Sequence, residues 1–410
     1  MTTSFSAKAG LLLAAVTMVG ATVAAPAASA ASAAPAAPAA ATQPASGHAE
    51  VQRALDNAVA GSGAPGMVAE VRDRRGRWFG SAGVSDTTTG RKRQQHERFR
   101  IGSTTKAFTA TVVMQLVAER KLKLDDTVEK WLPGLVQGNG YDGHKITIRM
   151  LLNHSSGIFN YGNDEEFFAK GVGEAWYEHR YDSYTPQQLV KIGLANAAGP
   201  YFDPGKGFGY SNTNYYLAAL IIEKATGKTY GQQLHQRIIG PLGLTGTYLP
   251  GSEAKIRGAH PRHYSTLFSQ DPNPKIHDAT EMNQSFSWAA GGIVSTTGDL
   301  QRFFGALLGG RLLPPAQQHQ MFDDPVDTSV NGKAHPWIPA TRYGLGVFTQ
   351  ELSCGVTVWG NGGATYGSWV YAMGSRDGKH LLTSQVNGDW SGLGVLTNVL
   401  DAEFCPTTSR

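Results

Sequence analysis

Cysteine is almost missing from this chain of 410 residues, which has only Cys354 and Cys405. Two thiols are too few for a soft-ligand metal centre or for a disulfide-dense small scaffold. Dense blocks of one charge are missing as well. The 36 basic and 32 acidic side chains leave a net charge of +4, and Arg91-Lys92-Arg93 alone is too short to mark a nucleic-acid surface. After the N-terminal region no apolar run approaches the ~20 residues needed to span a bilayer, and no internal repeat is visible. These absences argue against nucleic acid, a metal or other cofactor, a stable membrane anchor and a solenoid. What is present is 41% hydrophobic residues, enough for a substantial core in one large domain or two.

The N-terminus sets the compartment. Lys8 precedes an apolar stretch from Leu11 to Ala25, and Ala28-Ser29-Ala30 supplies the small residues that a signal peptidase requires. Residues 1–30 are therefore expected to be a signal peptide, and the mature protein to be secreted, extracellular and soluble. Residues 31–48 are rich in Ala, Pro and Ser, cannot bury a core, and read as a disordered linker or pro-segment. The folded unit is expected over 49–410. In an oxidising compartment an even pair of cysteines is expected to bridge, and a Cys354–Cys405 disulfide closing about fifty residues would contribute roughly 4 kcal/mol in the loop-entropy model. Two buried free thiols are the alternative.

Hydrophobic periodicity predicts a helix over Val51 to Ala60, then paired strands at Met67 to Val71 and Arg77 to Gly80. From Ser103 the apolar spacing turns helical, and helices dominate the middle, including Thr213 to Thr226 and Gly298 to Leu308. Strand character returns at Tyr343 to Phe348, Val356 to Trp359, Trp369 to Met373 and His380 to Ser384. The expected class is α+β: an antiparallel sheet from about 49–102 and 290–410, flanked by helices, around a mainly helical region at about 103–289.

Three short segments carry chemistry. Ser103-Thr104-Thr105-Lys106 opens the helical stretch, Tyr210-Ser211-Asn212 precedes another helix, and Gly360-Asn361-Gly362-Gly363 reads as a sharp Gly-rich turn. Together they offer a serine nucleophile, an amine to deprotonate it, a phenol for proton transfer and a turn able to build an oxyanion hole. A helix start would put positive dipole and free N–H groups at the oxygen where negative charge develops. To act as base, Lys106 must be neutral part of the time, so its amine needs burial that lowers its free pKa of about 10.4. Each segment alone also has a plain reading: a helix cap with a solvated lysine, a packed tyrosine, an asparagine cap. Ser252-Glu253-Ala254-Lys255 matches the same Ser-x-x-Lys spacing but lies in a polar, Gly-flanked stretch without an apolar helix after it. Ser211 nearly fits a Gly-x-Ser-x-Gly elbow, except that Thr213 stands where that elbow needs glycine.

Arg98 to Ala110, Leu151 to Ile158, Tyr210 to Gly227, Trp288 to Leu300, Tyr343 to Val347 and Leu352 to Gly355, taken in order, resemble the penicillin-binding-protein and class C β-lactamase family. The likeness runs from about His48 to Cys405 and is greatest to secreted actinobacterial DD-peptidases. It implies Ser103 as acylated nucleophile, Lys106 as its base, Tyr210 as proton donor to the leaving amine, and the N–H groups of Ser103 and Ala364 as oxyanion hole. Asn212, Asn361 and Gly362 would contact substrate, Phe167 and Trp288 would wall the cleft, and Cys354 and Cys405 match the disulfide of the resembled DD-peptidases. His154 falls in a structural segment of the family and reads as a turn-stabilising residue.

The departures bear on substrate. The family's third motif has Lys or His, then often Thr, where this chain has Asn361 and Gly362, and an arginine that grips a terminal carboxylate aligns with Phe348. Charge-assisted hydrogen bonds contribute about 1.5–3 kcal/mol each, so a free C-terminus should be poorly recognised. The expected activity is acyl transfer on small D-aminoacyl amides, esters or peptides, with water or an amine as acceptor, by a monomer. Alternatives are a D-alanyl-D-alanine carboxypeptidase, an esterase or β-lactamase of the same fold, and an inactive binding module. A third expectation is that Asp164, Glu165 and Glu166 receive a substrate ammonium at the cleft rim, against a plainly solvated charge run.

Overall fold

The two ends of the chain meet in one sheet. The structure is a computed structural model and describes residues 47–405, so the expected signal peptide and nearly all of the linker lie outside the described residues. Helix α1 (Ala49–Ser62) leads into strands β1 (Gly66–Asp73), β2 (Gly76–Asp86) and the short β3 (Arg91–Lys92). The C-terminal part supplies β4 (Val326–Asp327), β5 (Thr341–Tyr343), β6 (Phe348–Glu351), β7 (Thr357–Thr365), β8 (Ser368–Gly374) and β9 (Leu381–Val386). The sheet order is β4-β5-β6-β7-β8-β9-β1-β2-β3, with every pair antiparallel. Met67 stands opposite Val386 where the two ends of the chain join.

Period-two alternation divides the core between the faces. Trp369, Tyr371 and Met373 of β8 pack toward α1 and the last helix, α6 (Gly394–Phe404). Val370 and Ala372 face the other way, into the core that α2 (Thr105–Ala118), α3 (Asn212–Thr226), α4 (Tyr230–Leu234) and α5 (Thr297–Leu308) share. Helix α2 is apolar on nearly every side and runs through this second core, as a helix hydrophobic all round must. The architecture is α+β, with the sheet drawn from both ends of the chain around a mainly helical middle.

Two elements differ from the sequence-based expectation. Tyr343 to Phe348 is not one strand: β5 stops at Tyr343 and β6 starts at Phe348, with Gly346 at φ +78 in the connection. Gly360 to Gly363 is not a turn but the middle of β7, paired throughout with β8, and Gly360 also pairs with Phe348 of β6. Glycine usually weakens a strand. Here the neighbours dictate it, because a Cβ at Gly363 would lie 1.9 Å from the Ile101 carbonyl oxygen and 2.7 Å from Ser103 N.

Cys354 and Cys405 form a disulfide, with Cα atoms 5.7 Å apart. It ties the β6–β7 turn to the end of α6, and closing 51 positions contributes roughly 4 kcal/mol through the unfolded chain's entropy.

Candidate active site

Ser103 sits in a 3₁₀ turn, Gly102–Thr104, that runs directly into α2. Gly102 has φ +48, and a Cβ there would meet Ala364 N at 2.7 Å, so the turn and β7 are pressed together where both carry glycine. That approach brings the backbone N–H groups of Ser103 and Ala364 into one neighbourhood, the arrangement an oxyanion hole needs.

One turn on from Ser103, as the second residue of α2, Lys106 is completely buried. Its Nζ lies 3.1 Å from Ser103 Oγ, 2.7 Å from Asn212 Oδ1 and 2.8 Å from the Ala290 carbonyl oxygen. The last two can only accept hydrogen bonds, so they take the two hydrogens of a neutral amine and turn its lone pair toward the serine hydroxyl. Among the described residues no carboxylate hydrogen-bonds or pairs with this amine, and burial holds its pKa well below the usual lysine range.

Tyr210 donates its phenol hydrogen to Ser103 Oγ at 2.6 Å. Burial, reinforced by the neighbouring Tyr343, pushes this phenol well above the usual tyrosine range, so it remains a proton donor. Its ring is flanked by His154 and Trp337, each with a centroid 4.4 Å away. His154, buried and with φ +60, accepts at Nδ1 from the Ser211 backbone N–H at 3.2 Å and faces Asn214 Nδ2 at the same distance. It stays neutral through burial and acts as a packed spacer behind Tyr210 rather than as a catalyst. Asn212 is the first residue of α3, inside the helix rather than its cap, and with Oδ1 committed to Lys106 its amide nitrogen is left for the cleft.

The cleft has two lobes that share Tyr161, Asn212, Phe268, Ser287 and Ala364. On the Asn212 side the lining includes Phe167, Trp176, Tyr184, Phe286 and Tyr366, and its one carboxylate is Asp182. On the Tyr210 side, where Ser103 and Gly362 lie, the lining includes Trp337, Phe348, Trp369, Tyr371 and Leu393, with no charged side chain.

Several expected site residues sit elsewhere. Asn361 does not reach the cleft. Alternation along β7 turns it to the face opposite Gly362, where it is buried and donates to the Gly346 carbonyl at 2.8 Å. Trp288 does not wall the cleft either: it packs against Tyr216 and Tyr230, and its neighbour Ser287 takes the lining position. Of the acidic trio, Asp164 caps a short helix by accepting from Phe167 N and Asn196 Nδ2, and Glu165 and Glu166 are exposed outside both lobes. Ser211 is fully buried and donates to the Phe159 carbonyl, which removes it as a nucleophile. Trp337, Tyr371 and Asp182 went unnoticed in the sequence. Pro336-Trp337-Ile338-Pro339 is a weak signal at best, since only folding brings it to Tyr210. Of possible metal ligands among the described residues, His48, Asp73 and Glu403 cluster at the end of β1, outside both lobes, where Arg75 Nε already lies 2.6 Å from Asp73.

A serine hydroxyl held between a buried neutral amine and a protonated phenol, beside paired backbone N–H groups, defines a serine hydrolase of the Ser/Lys/Tyr type. The beta-lactamase family model matches residues 51–402, and the chain belongs to this family, with the penicillin-binding proteins and class C enzymes. Among solved structures, a D-stereospecific amidohydrolase from Streptomyces sp. is 46% identical, with a TM-score of 0.79 and coverage of 87% of this chain and 98% of that one. D-amino acid amidase from Ochrobactrum anthropi SV3, complexed with L-phenylalanine amide, is 27% identical, with a TM-score of 0.72 and coverage of 86% and 97%. Penicillin-binding protein 4* of Bacillus subtilis is 28% identical, and the match spans 59% of this chain but only 52% of that relative. The D-alanyl-D-alanine-carboxypeptidase/endopeptidase AmpH of Escherichia coli is 26% identical over 85% of this chain and 79% of its own length.

Proposed function

We propose that this protein is a secreted D-stereospecific amidohydrolase that transfers D-aminoacyl groups from amides, esters or peptides to water or to an amine. The observation that carries the reading is the uncharged lobe around Ser103, where Phe348 and Gly362 offer nothing to hold a free carboxylate. The Streptomyces amidohydrolase, similar over almost its whole length, supports the stereochemical part. The Cys354–Cys405 bridge is in keeping with an oxidising compartment.

In the reaction proposed, Ser103 Oγ attacks the substrate carbonyl while its proton passes to Lys106 Nζ. The oxyanion forms against the N–H groups of Ser103 and Ala364. Tyr210 then hands a proton to the departing nitrogen and is resupplied from Lys106, so the C–N bond breaks as the ester at Ser103 is completed. Water or an amine reverses these steps and frees the serine. The apolar walls of Phe167, Tyr184 and Tyr366 suit the acyl side chain; the lobe's one carboxylate, Asp182, is already paired with His179 and shares the lining with Lys170 and Arg180.

The deciding measurement is hydrolysis of matched D- and L-aminoacyl p-nitroanilides and esters by the mature enzyme, with the acyl adduct mapped by mass spectrometry. A preference for D substrates and an adduct on Ser103 are expected. Equal use of both enantiomers removes the stereochemical claim, and release of C-terminal D-alanine from a free acid at comparable efficiency removes the neutral-substrate claim.

A further inference from the structure

Phe348, Gly362, Trp369 and Tyr371 project from one face of the sheet, because Phe348 pairs with Gly360, Gly362 with Tyr371, and Ala364 with Trp369. Gly362 has no side chain, and the Tyr371 ring takes that room: a Cβ at Gly362 would lie 2.4 Å from Tyr371 Cε1. Three hydrogen-bond donors lie in the walls of this lobe. The Tyr371 hydroxyl and the indole N–H groups of Trp337 and Trp369 are buried and have no partner among the described residues. Buried donors without acceptors are costly and rare, and three lining one lobe form unused capacity for an acceptor. Trp337 and Ile338 of this wall belong to residues 328–340, which contain no helix or strand, and a ligand reaches the buried donors only when the wall moves.

We propose that this lobe is the subsite for the leaving group and the entering acyl acceptor, that it selects an amino-acid residue whose carboxyl is tied up as amide or ester, and that the Tyr371 hydroxyl donates to that residue's carbonyl oxygen. The inference rests on the acyl-transfer reading above and extends it to the group that leaves or enters. The side is set by Tyr210, since the phenol that protonates the departing nitrogen must lie beside it, and Trp337 stacks on that phenol at an interplanar angle of 16°. A free carboxylate here would lose its water to a lobe without a cation, whereas a carbonyl needs only a donor. When an amine acceptor enters, its N–C bond forms as the Ser103 Oγ–C bond breaks, and the proton it sheds passes through Tyr210 and Lys106 back to Oγ.

The test offers L-leucinamide and L-leucine together to the enzyme turning over D-phenylalanine methyl ester. The two dipeptide products are quantified by mass spectrometry and corrected for the unprotonated fraction of each amine. Both acceptors compete for the same acyl-enzyme, so the product ratio reads acceptor recognition whatever the rate of acylation. A preference for the amide of about tenfold or more is expected, falling at least about threefold in Tyr371→Phe, in line with one lost hydrogen bond. Because that hydroxyl has no partner within the protein, Tyr371→Phe is expected to keep the parental Tm; Trp337→Phe, which keeps an aromatic ring but removes the N–H, gives an independent second variant. A ratio near one, a ratio unchanged in both variants, or hydrolysis without transfer to either acceptor overturns the subsite. Failure of the parent enzyme to hydrolyse the ester at all overturns instead the reading beneath it.

Discussion

Ser103-Thr104-Thr105-Lys106 and Ser252-Glu253-Ala254-Lys255 have the same spacing of serine and lysine and opposite fates. The first quartet opens a buried helix, and its lysine is enclosed by Asn212, Ala290 and the faces of Tyr210 and Tyr215. The second lies in a surface turn, where Lys255 is exposed and its nearest partner is Glu281 at 3.9 Å. A lysine that keeps its water keeps its proton and cannot act as base, however near a serine it lies. The contrast teaches that the motif is an environment, and that the four residues acquire their chemistry from the elements packed around them.

The sharpest way to break the comparison is to remove each serine in turn. Ser103→Ala is expected to lower kcat/KM by about 10³-fold or more and to abolish the covalent adduct, since among the described residues Ser103 carries the only hydroxyl hydrogen-bonded to Lys106 Nζ. Ser252→Ala is expected to leave both unchanged. An equal loss from the two variants would contradict the assignment.

Lys106→Arg comes next, because guanidinium stays charged and offers no lone pair; a loss of about 10²–10⁴-fold is expected with the fold retained by thermal melting. The parent enzyme's pH profile tests the same point. As pH falls through the lowered Lys106 pKa the amine gains a proton and activity should drop, so the acid limb is expected well below the ordinary lysine value of 10.5. A limb near that ordinary value would show the amine to be hydrated.

Gly363→Ala probes the tight contact between β7 and the Ser103 turn. Its Cβ would collide with the Ile101 carbonyl and spread the two N–H groups, so a loss of about 10²-fold in kcat is expected with little change in KM. The smallest effect belongs to Lys255→Ala, where removing a solvated charge is expected to change Tm and activity negligibly.

Much of this arrangement was legible in the residues, for identifiable reasons. Helical spacing after Ser103 put Lys106 one turn away, and the ordered segments distant in sequence made Tyr210 and Ala364 parts of the same reading. The glycines at 360, 362 and 363 misled, because local propensity reads them as a turn while the approach of Ile101 and Ser103 demands them in a strand. The family resemblance put Asn361 in the cleft without showing which way it points, since the face a residue occupies follows only once its strand is known. Trp288 was misplaced for a related reason: an aromatic near the site packs wherever its rotamer finds partners, here Tyr216 and Tyr230.

By itself the sequence determined which groups are available, an amine three residues after a serine, a phenol, an amide, glycines where side chains would not fit, and the helical and strand periods that orient their neighbours. Only the tertiary structure decided how completely Lys106 is enclosed, which face of β7 meets the cleft, and that Trp337 and Tyr371 line the lobe of Ser103 together with Phe348. Spacing along the chain sets contacts within one turn of helix or one strand, whereas burial, and with it the protonation of Lys106 and Tyr210, is a sum over residues hundreds of positions apart.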